Sequence, residues 1–354
     1  MSLTVLSVAY PLAPVGPDAV GGAEQVLSLL DRALVEAGHR SIVVACEGSS
    51  TWGQLVEVPR AAGTLDDDVR ARAWPRHCAA IAGALERWPV DLVHLHGHDF
   101  HAYLPAPGVP VLVTLHVPPF WYAPEALALE RPDTWLHCVS QTQADTCPPG
   151  LNLLPPIPNG VPVAALTARH AKRDFALTLG RICPEKGIDL AIEAAKKADI
   201  PLLIAGEVFP YEAHRRYFDE EVVPRLDRAR RFIGPVGFSR KRRLLTAARC
   251  LLVPSTAPET SSLVAREALA CGTPVVAFPN GALRETVDEG RTGFLVSDAD
   301  GMAEAIRRAP AIDPQECRRV ARERFSLDAM TERYFAVYER LAAGRMPAQK
   351  AGAA

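Results

Sequence analysis

The 354-residue chain lacks a Cys-x-x-Cys pair, a strong net charge and any apolar run approaching the ~20 residues needed to span a bilayer. Its eight cysteines, Cys46, Cys78, Cys138, Cys147, Cys183, Cys250, Cys271 and Cys317, are scattered. That spacing excludes a zinc ribbon or a thioredoxin-type motif. It fits small buried residues in a reducing compartment. A formal charge of −2 argues against a nucleic-acid partner, whose affinity rests on a basic surface. The opening MSLTVLSVAYPLAP has neither a positive n-region nor a long apolar h-region, so it does not read as a secretory signal. The expectation is a soluble cytoplasmic protein. A peripheral contact with the inner face of the membrane stays compatible with a local basic patch.

What the chain does have is an alternation of short apolar runs with amphipathic helical stretches, the pattern of parallel sheets covered by helices on both faces. Its length favours two domains. In the first half, strands are expected at Leu3–Ala9, Ser41–Ala45, Asp91–Leu95, Val111–Leu115 and Trp135–Val139. Helices are expected at Ala23–Ala37, stopped by Gly38, and at Trp74–Trp88. Six prolines between Pro148 and Pro162 mark linker or edge chain. The alternation then restarts, with strands at Ala176–Leu179, Leu202–Ala205, Arg231–Ile233, Cys250–Val253, Val275–Phe278 and Phe294–Val296. Helices fall near Ile188–Lys197, Tyr211–Val223, Arg240–Ala248 and Leu263–Ala270. The fold class is α/β, two doubly wound Rossmann-like domains facing an interdomain cleft. The domains are 1–158 and 159–325, followed by an amphipathic helix over 326–342 packing back on the first domain, and a flexible tail over 343–354. Ligands of such sheets bind beyond the carboxyl ends of the strands.

Two segments carry chemistry. In PSTAPETSSLVAREALACGTPVVAF, Pro254–Phe278, a strand ends, a polar loop follows, and a helix runs to Gly272. Ser261 and Ser262 are N-cap residue types. The helix start offers free backbone N–H groups near Ser261, Ser262 and Leu263, which suits a phosphate. Glu259 stands just before the helix and Glu267 inside it. Two carboxylates flanking an anion site make sense for a diphosphate with a hydroxyl-rich group at each end. A buried helix with two capping or salt-bridged glutamates would show the same residues. In LGRICPEKG, Leu179–Gly187, Arg181 and Lys186 follow a strand, at the edge where ligands bind. Arginine forks onto phosphate oxygens and lysine acts as a point charge. A solvated loop with two surface cations is the plainer alternative.

Together these segments resemble the retaining family 4 glycosyltransferases (glycosyl transferases group 1, GT-B architecture). ETSSLVAREALACGTPVVA is similar to their signature of two glutamates, and GRICPEKG to their arginine–lysine diphosphate clamp. GGAEQVL at Gly21–Leu27, VTLH at Val113–His116, PNGV at Pro158–Val161, LIAGE at Leu203–Glu207, GALRETVDEGRTGFLV at Gly281–Val296 and RFS at Arg324–Ser326 match in the family's order. The resemblance implies that Arg181 and Lys186 neutralise the diphosphate, Glu267 holds the ribose, and Glu259 contacts the transferred sugar. Thr260, Ser261, Ser262 and Leu263 would complete the donor site. Gly21 and Gly22 would let backbone approach the donor phosphate, and His116 would lie near the anomeric centre or acceptor. Where the family often has Gly-Phe-Gly-Leu after the first glutamate, this chain has Thr260-Ser261-Ser262-Leu263. Glu207 and Val208 likewise replace a glycine and a proline.

His94, His96 and His98, with Asp99 and His101, form HLHGHDFH, a metal-like run. No glutamate or distant ligand set completes it, so it reads as a polar strand end lining the acceptor side. Phe120, Trp121 and Tyr122, with His98 and Asp99, are the acceptor-side candidates. Arg70, Arg72, Arg76 and Arg87 with Trp74 and Trp88 read as either a membrane-facing or a solvated helix face. The function implied is transfer of a hexosyl group from a nucleoside-diphosphate sugar to an acceptor hydroxyl with retention. UDP-sugar is favoured and GDP-mannose second. The acceptor would be a sugar, a lipid-linked or a small molecule, with no metal or other cofactor. A sugar-nucleotide epimerase and a non-catalytic sugar-nucleotide-binding protein are the alternatives. A nicotinamide oxidoreductase is disfavoured, because GGAE lacks the G-x-G-x-x-G spacing.

Overall fold

The apolar runs become parallel strands in two compact units, Met1–Pro158 with Met330–Ala354, and Asn159–Ala329. The computed structural model describes residues 2–60, 66–168 and 170–344. The tail expected beyond Gly344 lies outside the described residues.

The sheet of the first unit comprises β1 (Thr4–Val8), β2 (Arg40–Cys46), β3 (Gln54–Val58), β4 (Leu92–Leu95), β5 (Val111–Leu115), β6 (Thr134–Cys138) and β7 (Leu153–Leu154). Their order is β3-β2-β1-β4-β5-β6-β7, and every pairing is parallel. Strands buried on both faces need near-continuous apolar sequence, which SIVVAC in β2 and VLVTL in β5 supply. The order reverses between β1 and β4, the kind of switch point beside which such sheets bind ligands. Helix α1 (Gly22–Glu36) buries Val26, Leu27, Leu30 and Leu34. Helix α2 (Asp67–Arg87) begins seven residues before the expected start, because the Asp66 side chain accepts from Val69 N–H at 2.8 Å. Pro75 is accommodated within it. Strand β3 was not expected, since QLVEV alternates with polar residues; it forms the sheet edge. A short α3 (Gln141–Ala144) follows β6.

The second unit holds β8 (Ala176–Leu179), β9 (Leu202–Ala205), β10 (Arg230–Phe232), β11 (Cys250–Val253), β12 (Val275–Ala277) and β13 (Gly293–Leu295), ordered β10-β9-β8-β11-β12-β13 and all parallel. Its helices are α4 (Val163–Leu166), α5 (Ile188–Lys197), α6 (Glu212–Tyr217), α7 (Phe238–Ala247), α8 (Leu263–Ala270), α9 (Leu283–Thr286), α10 (Ala299–Arg308) and α11 (Pro314–Arg324). The helix expected over 211–223 keeps α-geometry only in α6. A wide turn at Phe218–Val222 and a tight one at Val223–Arg225 follow. Pro224 explains the break, because its ring clashes with the carbonyl four residues back and it has no N–H to donate.

The last helix, α12 (Leu327–Ala342), starts beside the linker of the second unit: Val161 N–H donates to Phe325 O and Leu327 N–H to Val161 O. From Met330 onward it belongs to the first unit. There Tyr338 Oη lies 2.8 Å from His94 Nδ1, and Tyr334 Oη 3.3 Å from Thr114 Oγ1. Among the described residues no helix is long and apolar enough to cross a membrane.

Candidate active site

The carboxyl ends of β8 and β11 carry the two motif loops of the second unit, because these neighbouring parallel strands point the same way. The loop after β8 turns through Pro184–Lys186 to Gly187, whose φ of +60° is left-handed. A Cβ on Gly187 would strike the carbonyl of Pro254, so glycine there lets the β11 loop pass. Thr256 N–H donates to Glu185 O at 2.9 Å and stitches the two loops together.

That stitching brings Lys186 to Glu259. Lys186 Nζ lies 2.5 Å from Glu259 Oε1, and Ser255 Oγ donates to the same oxygen at 2.5 Å. Burial pushes the Glu259 carboxyl up, but the Lys186 ammonium, the Ser255 hydroxyl and the Arg181 charge outweigh it and hold the group below the usual carboxylate range. Its backbone is fixed too: Glu259 bridges to Gly281, and Ala282 N–H donates to Glu259 O at 2.7 Å.

Glu267, on α8, has a partner that sequence reasoning missed. Lys241 on α7 donates to Glu267 Oε1 at 2.5 Å, with 9% of Lys241 and 5% of Glu267 exposed. Within RKRR the four cations look alike, but only Lys241 turns inward. Its position one helical turn before the buried Leu245 was the available signal. Arg181 is half-buried, with its guanidinium 5.9 Å from the centre of the Phe209 ring. Among the described residues it forms no ion pair within 4.0 Å. Each glutamate therefore has its own lysine, and the Arg181 charge stands over.

The start of α8 corrects one expectation. Ser262 occupies the N-cap position, but its side chain makes no cap bond and its φ is +54°, a conformation that favours glycine. Both seryl oxygens, Ser261 Oγ and Ser262 Oγ, are buried without a hydrogen-bond partner. The first N–H groups of the eight-residue α8 follow them. Thr260 and Leu263 flank the serines, both half-buried. Beneath them, Arg266 is 1% exposed and donates to the carbonyl of Asn159 in the linker.

The first unit holds the remaining candidates. His116 follows β5; its Nε2 lies 3.0 Å from His96 Nδ1, and its backbone N–H donates to Tyr122 Oη at 2.9 Å. Loss of water around the ring, with the His137 charge beside it, pushes His116 down to about 3. The imidazole is thus neutral. Tyr122 and Asp99 do not fit the acceptor-side expectation. Tyr122 is buried and braces the His116 loop, because its hydroxyl finds backbone donors inside. Asp99 is buried as well, accepting from Trp74 Nε1 and Tyr103 Oη at 2.7 Å each. Phe120 and Trp121 do face water, at 65% and 42% exposure, edge to face with ring centres 6.0 Å apart. The His98 ring packs against that of Tyr10, with centres 4.8 Å apart and planes tilted by 35°. His94 and His96 are drawn together, ring centres 4.0 Å apart, and His94 Nε2 lies 2.7 Å from Thr114 Oγ1. His98 does not join them, because β4 ends at Leu95 and the alternation stops. Trp74 bonds inward to Asp99, so the basic aromatic face on α2 is not continuous. Gly21 precedes α1, whose first residue is Gly22; a Cβ on Gly21 would fall on the Glu24 carboxylate.

Comparison with known proteins bears on the family and the fold. Residues 20–165 match the family model described as Glycosyltransferase Family 4, and residues 173–310 match Glycosyl transferases group 1. The chain is 28% identical over 387 residues to glycogen synthase of Mycobacterium tuberculosis, covering 93% of this chain and 91% of that protein. Among solved structures it is similar to AviGT4, a glycosyltransferase involved in avilamycin A biosynthesis. That match has 28% identity and a TM-score of 0.74, covering 97% of this chain and 98% of the other. Anabaena Alr3699/HepE in complex with UDP-glucose shares the fold, with 18% identity, a TM-score of 0.74, and 95% and 99% coverage. The two parallel-sheet units, the loops they carry and these similarities together make the chain a GT-B glycosyltransferase of family 4, group 1.

Proposed function

We propose that the second unit binds a nucleoside-diphosphate sugar and that the enzyme transfers the sugar to an acceptor hydroxyl with retention of anomeric configuration. The observation that carries this reading is the charge pattern at the β8 and β11 loops. Each glutamate is matched by a lysine, while Arg181 and two unpartnered seryl hydroxyls are left for an anion. A diphosphate suits them: Arg181 forks onto its oxygens, and the start of α8 donates backbone N–H groups. Glu267, oriented by Lys241, accepts from the ribose diol. Glu259, oriented by Lys186 and Ser255, accepts from sugar hydroxyls.

The chemical difficulty is departure of a diphosphate from an oxocarbenium-like carbon, where stabilising the leaving charge lowers the barrier most. The anomeric C–O bond to the diphosphate breaks as the acceptor oxygen bonds on the same face, and the acceptor proton passes to the leaving phosphate. Arg181 and Lys186 supply the positive charge for this step. Neutral His116 serves as a hydrogen-bonding group toward sugar or acceptor, and Phe120–Trp121 as an apolar platform on the acceptor side. UDP is the favoured carrier. HepE, which shares the fold, is solved with UDP-glucose; GDP-mannose is the second choice.

A thermal-shift panel of UDP, GDP and their sugars tests the binding. A ligand at 100 times its Kd adds about 2.7 kcal/mol to the folded state. UDP-sugars are expected to raise the Tm of the wild type and, at the same concentration, to raise that of Arg181→Ala less. No shift with any nucleoside diphosphate would overturn the reading. Incubating donor without acceptor separates the epimerase, which would convert it. NMR of the transferred anomer checks retention.

A further inference from the structure

We infer that Cys183, Glu185 and His214 form a binding site for a thiophilic divalent cation of the zinc class, beside the loop that carries Arg181 and Lys186. One ligand atom from each of the three lies within 4.8 Å of the others. The first two come from the turn after β8 and the third from α6, so the site joins two elements of one unit. Thiolate, imidazole and carboxylate form a mixed set that suits zinc and leaves a fourth position open.

The surroundings are built for it. Cys183 is fully buried. The turn is held by Lys186 N–H donating to Cys183 O at 3.1 Å and Ile182 N–H to Glu207 O at 2.9 Å. His214 Nδ1 is buried and has no hydrogen-bond partner. The rings of Tyr211 and Phe209 stand 5.0 and 6.4 Å from His214 and wall the site with apolar surface. Binding replaces the Cys183 S–H bond by a sulfur–metal bond and releases that proton to solvent. Thiolate and carboxylate together balance a divalent charge, so the filled site adds no net repulsion against Arg181. The ion ties the Arg181–Lys186 turn to α6 and takes no part in the transfer step.

The test uses the full-length protein, stripped with chelator and titrated with Co2+ and then Zn2+. One Co2+ per chain with a cobalt–thiolate charge-transfer band, displaced by one Zn2+, is expected. Cys183→Ser and His214→Gln should each weaken Zn2+ binding more than about 100-fold, beyond the 10–100-fold of an outer-shell loss. Cys78→Ser, at an exposed cysteine, should leave it unchanged. Cys183→Ser changes one atom and His214 is half-buried; retained circular dichroism confirms folding. Absence of the charge-transfer band in the wild type, or unchanged affinity in either variant, would overturn the site. Neither readout depends on glycosyl transfer.

Discussion

Lys241 and Glu267 form an ion pair at 2.5 Å with both side chains withdrawn from water. Removing one partner of a buried pair costs about 3–5 kcal/mol, because the other charge is left uncompensated. Lys241→Met is therefore expected to lower the unfolding free energy from urea melts by that much and to raise the KM for donor. Adding Glu267→Leu should recover most of the stability and none of the donor affinity. Equal loss of stability in the single and double variants would contradict the pairing.

Arg181→Ala and Lys186→Ala are each expected to slow turnover by about 100-fold, near 3 kcal/mol of transition-state stabilisation. Steady-state rates at saturating donor check this. Near wild-type turnover would remove that residue from the leaving-group role.

Lys186 also sets a pH dependence. The Glu259 carboxyl is held below its usual range, so its ionised form favours the folded site. That contribution is present above the ordinary carboxylate pKa and is lost as pH falls through the depressed value. Lys186→Met leaves burial as the larger influence, so the Glu259 pKa rises. The acid limb of the pH–rate profile should move to higher pH. An unmoved limb would assign it to another group.

Ser262 holds a left-handed backbone that glycine adopts without a steric penalty. Ser262→Gly should stabilise the ligand-free protein by about 1 kcal/mol: about 1–2 kcal/mol of left-handed strain is relieved, and about 0.4–1 kcal/mol is lost because glycine loosens the unfolded chain. Ser261→Ala removes a buried hydroxyl with no partner and should also raise Tm slightly. The same two changes are expected to weaken UDP binding several-fold by calorimetry. Unchanged affinity would leave the diphosphate to the backbone amides alone.

His137 and His116 are pushed down to about 4 and about 3, chiefly by burial. Unfolded histidine takes up a proton near pH 6.5, and the folded forms do not. Stability should therefore fall as pH drops from about 6.5 toward those folded values, at about 1.4 kcal/mol per pH unit for each histidine. Urea melts at pH 7 and pH 5 report this slope, which His137→Gln should reduce.

Much of this was legible in the sequence, for identifiable reasons. Strands β8, β9 and β11 and helices α5 and α8 fall on their expected residues, because doubly buried strands and amphipathic helices impose their own periodicity. Strand β3 was not legible, because an edge strand needs no apolar face on both sides. Glu259, Lys186 and Arg181 stood out at strand ends, and the family resemblance of their motifs gave them roles. The Lys241–Glu267 pair was not, because it joins residues 26 apart on different helices. The left-handed Ser262 was hidden for a different reason: a serine at a helix start reads as a cap, and only the backbone angle shows otherwise.

The return of α12 to the first unit sets an order of assembly during translation. The ribosome delivers the β4–β6 sheet with His94 and Thr114 long before Tyr334 and Tyr338 emerge. Until then His94 Nδ1 lacks the Tyr338 hydroxyl that satisfies it. The second unit, made entirely in between, can close first. A nascent chain stalled before Met330 would thus carry a finished second unit and an unsealed first one, a target for chaperones and proteases.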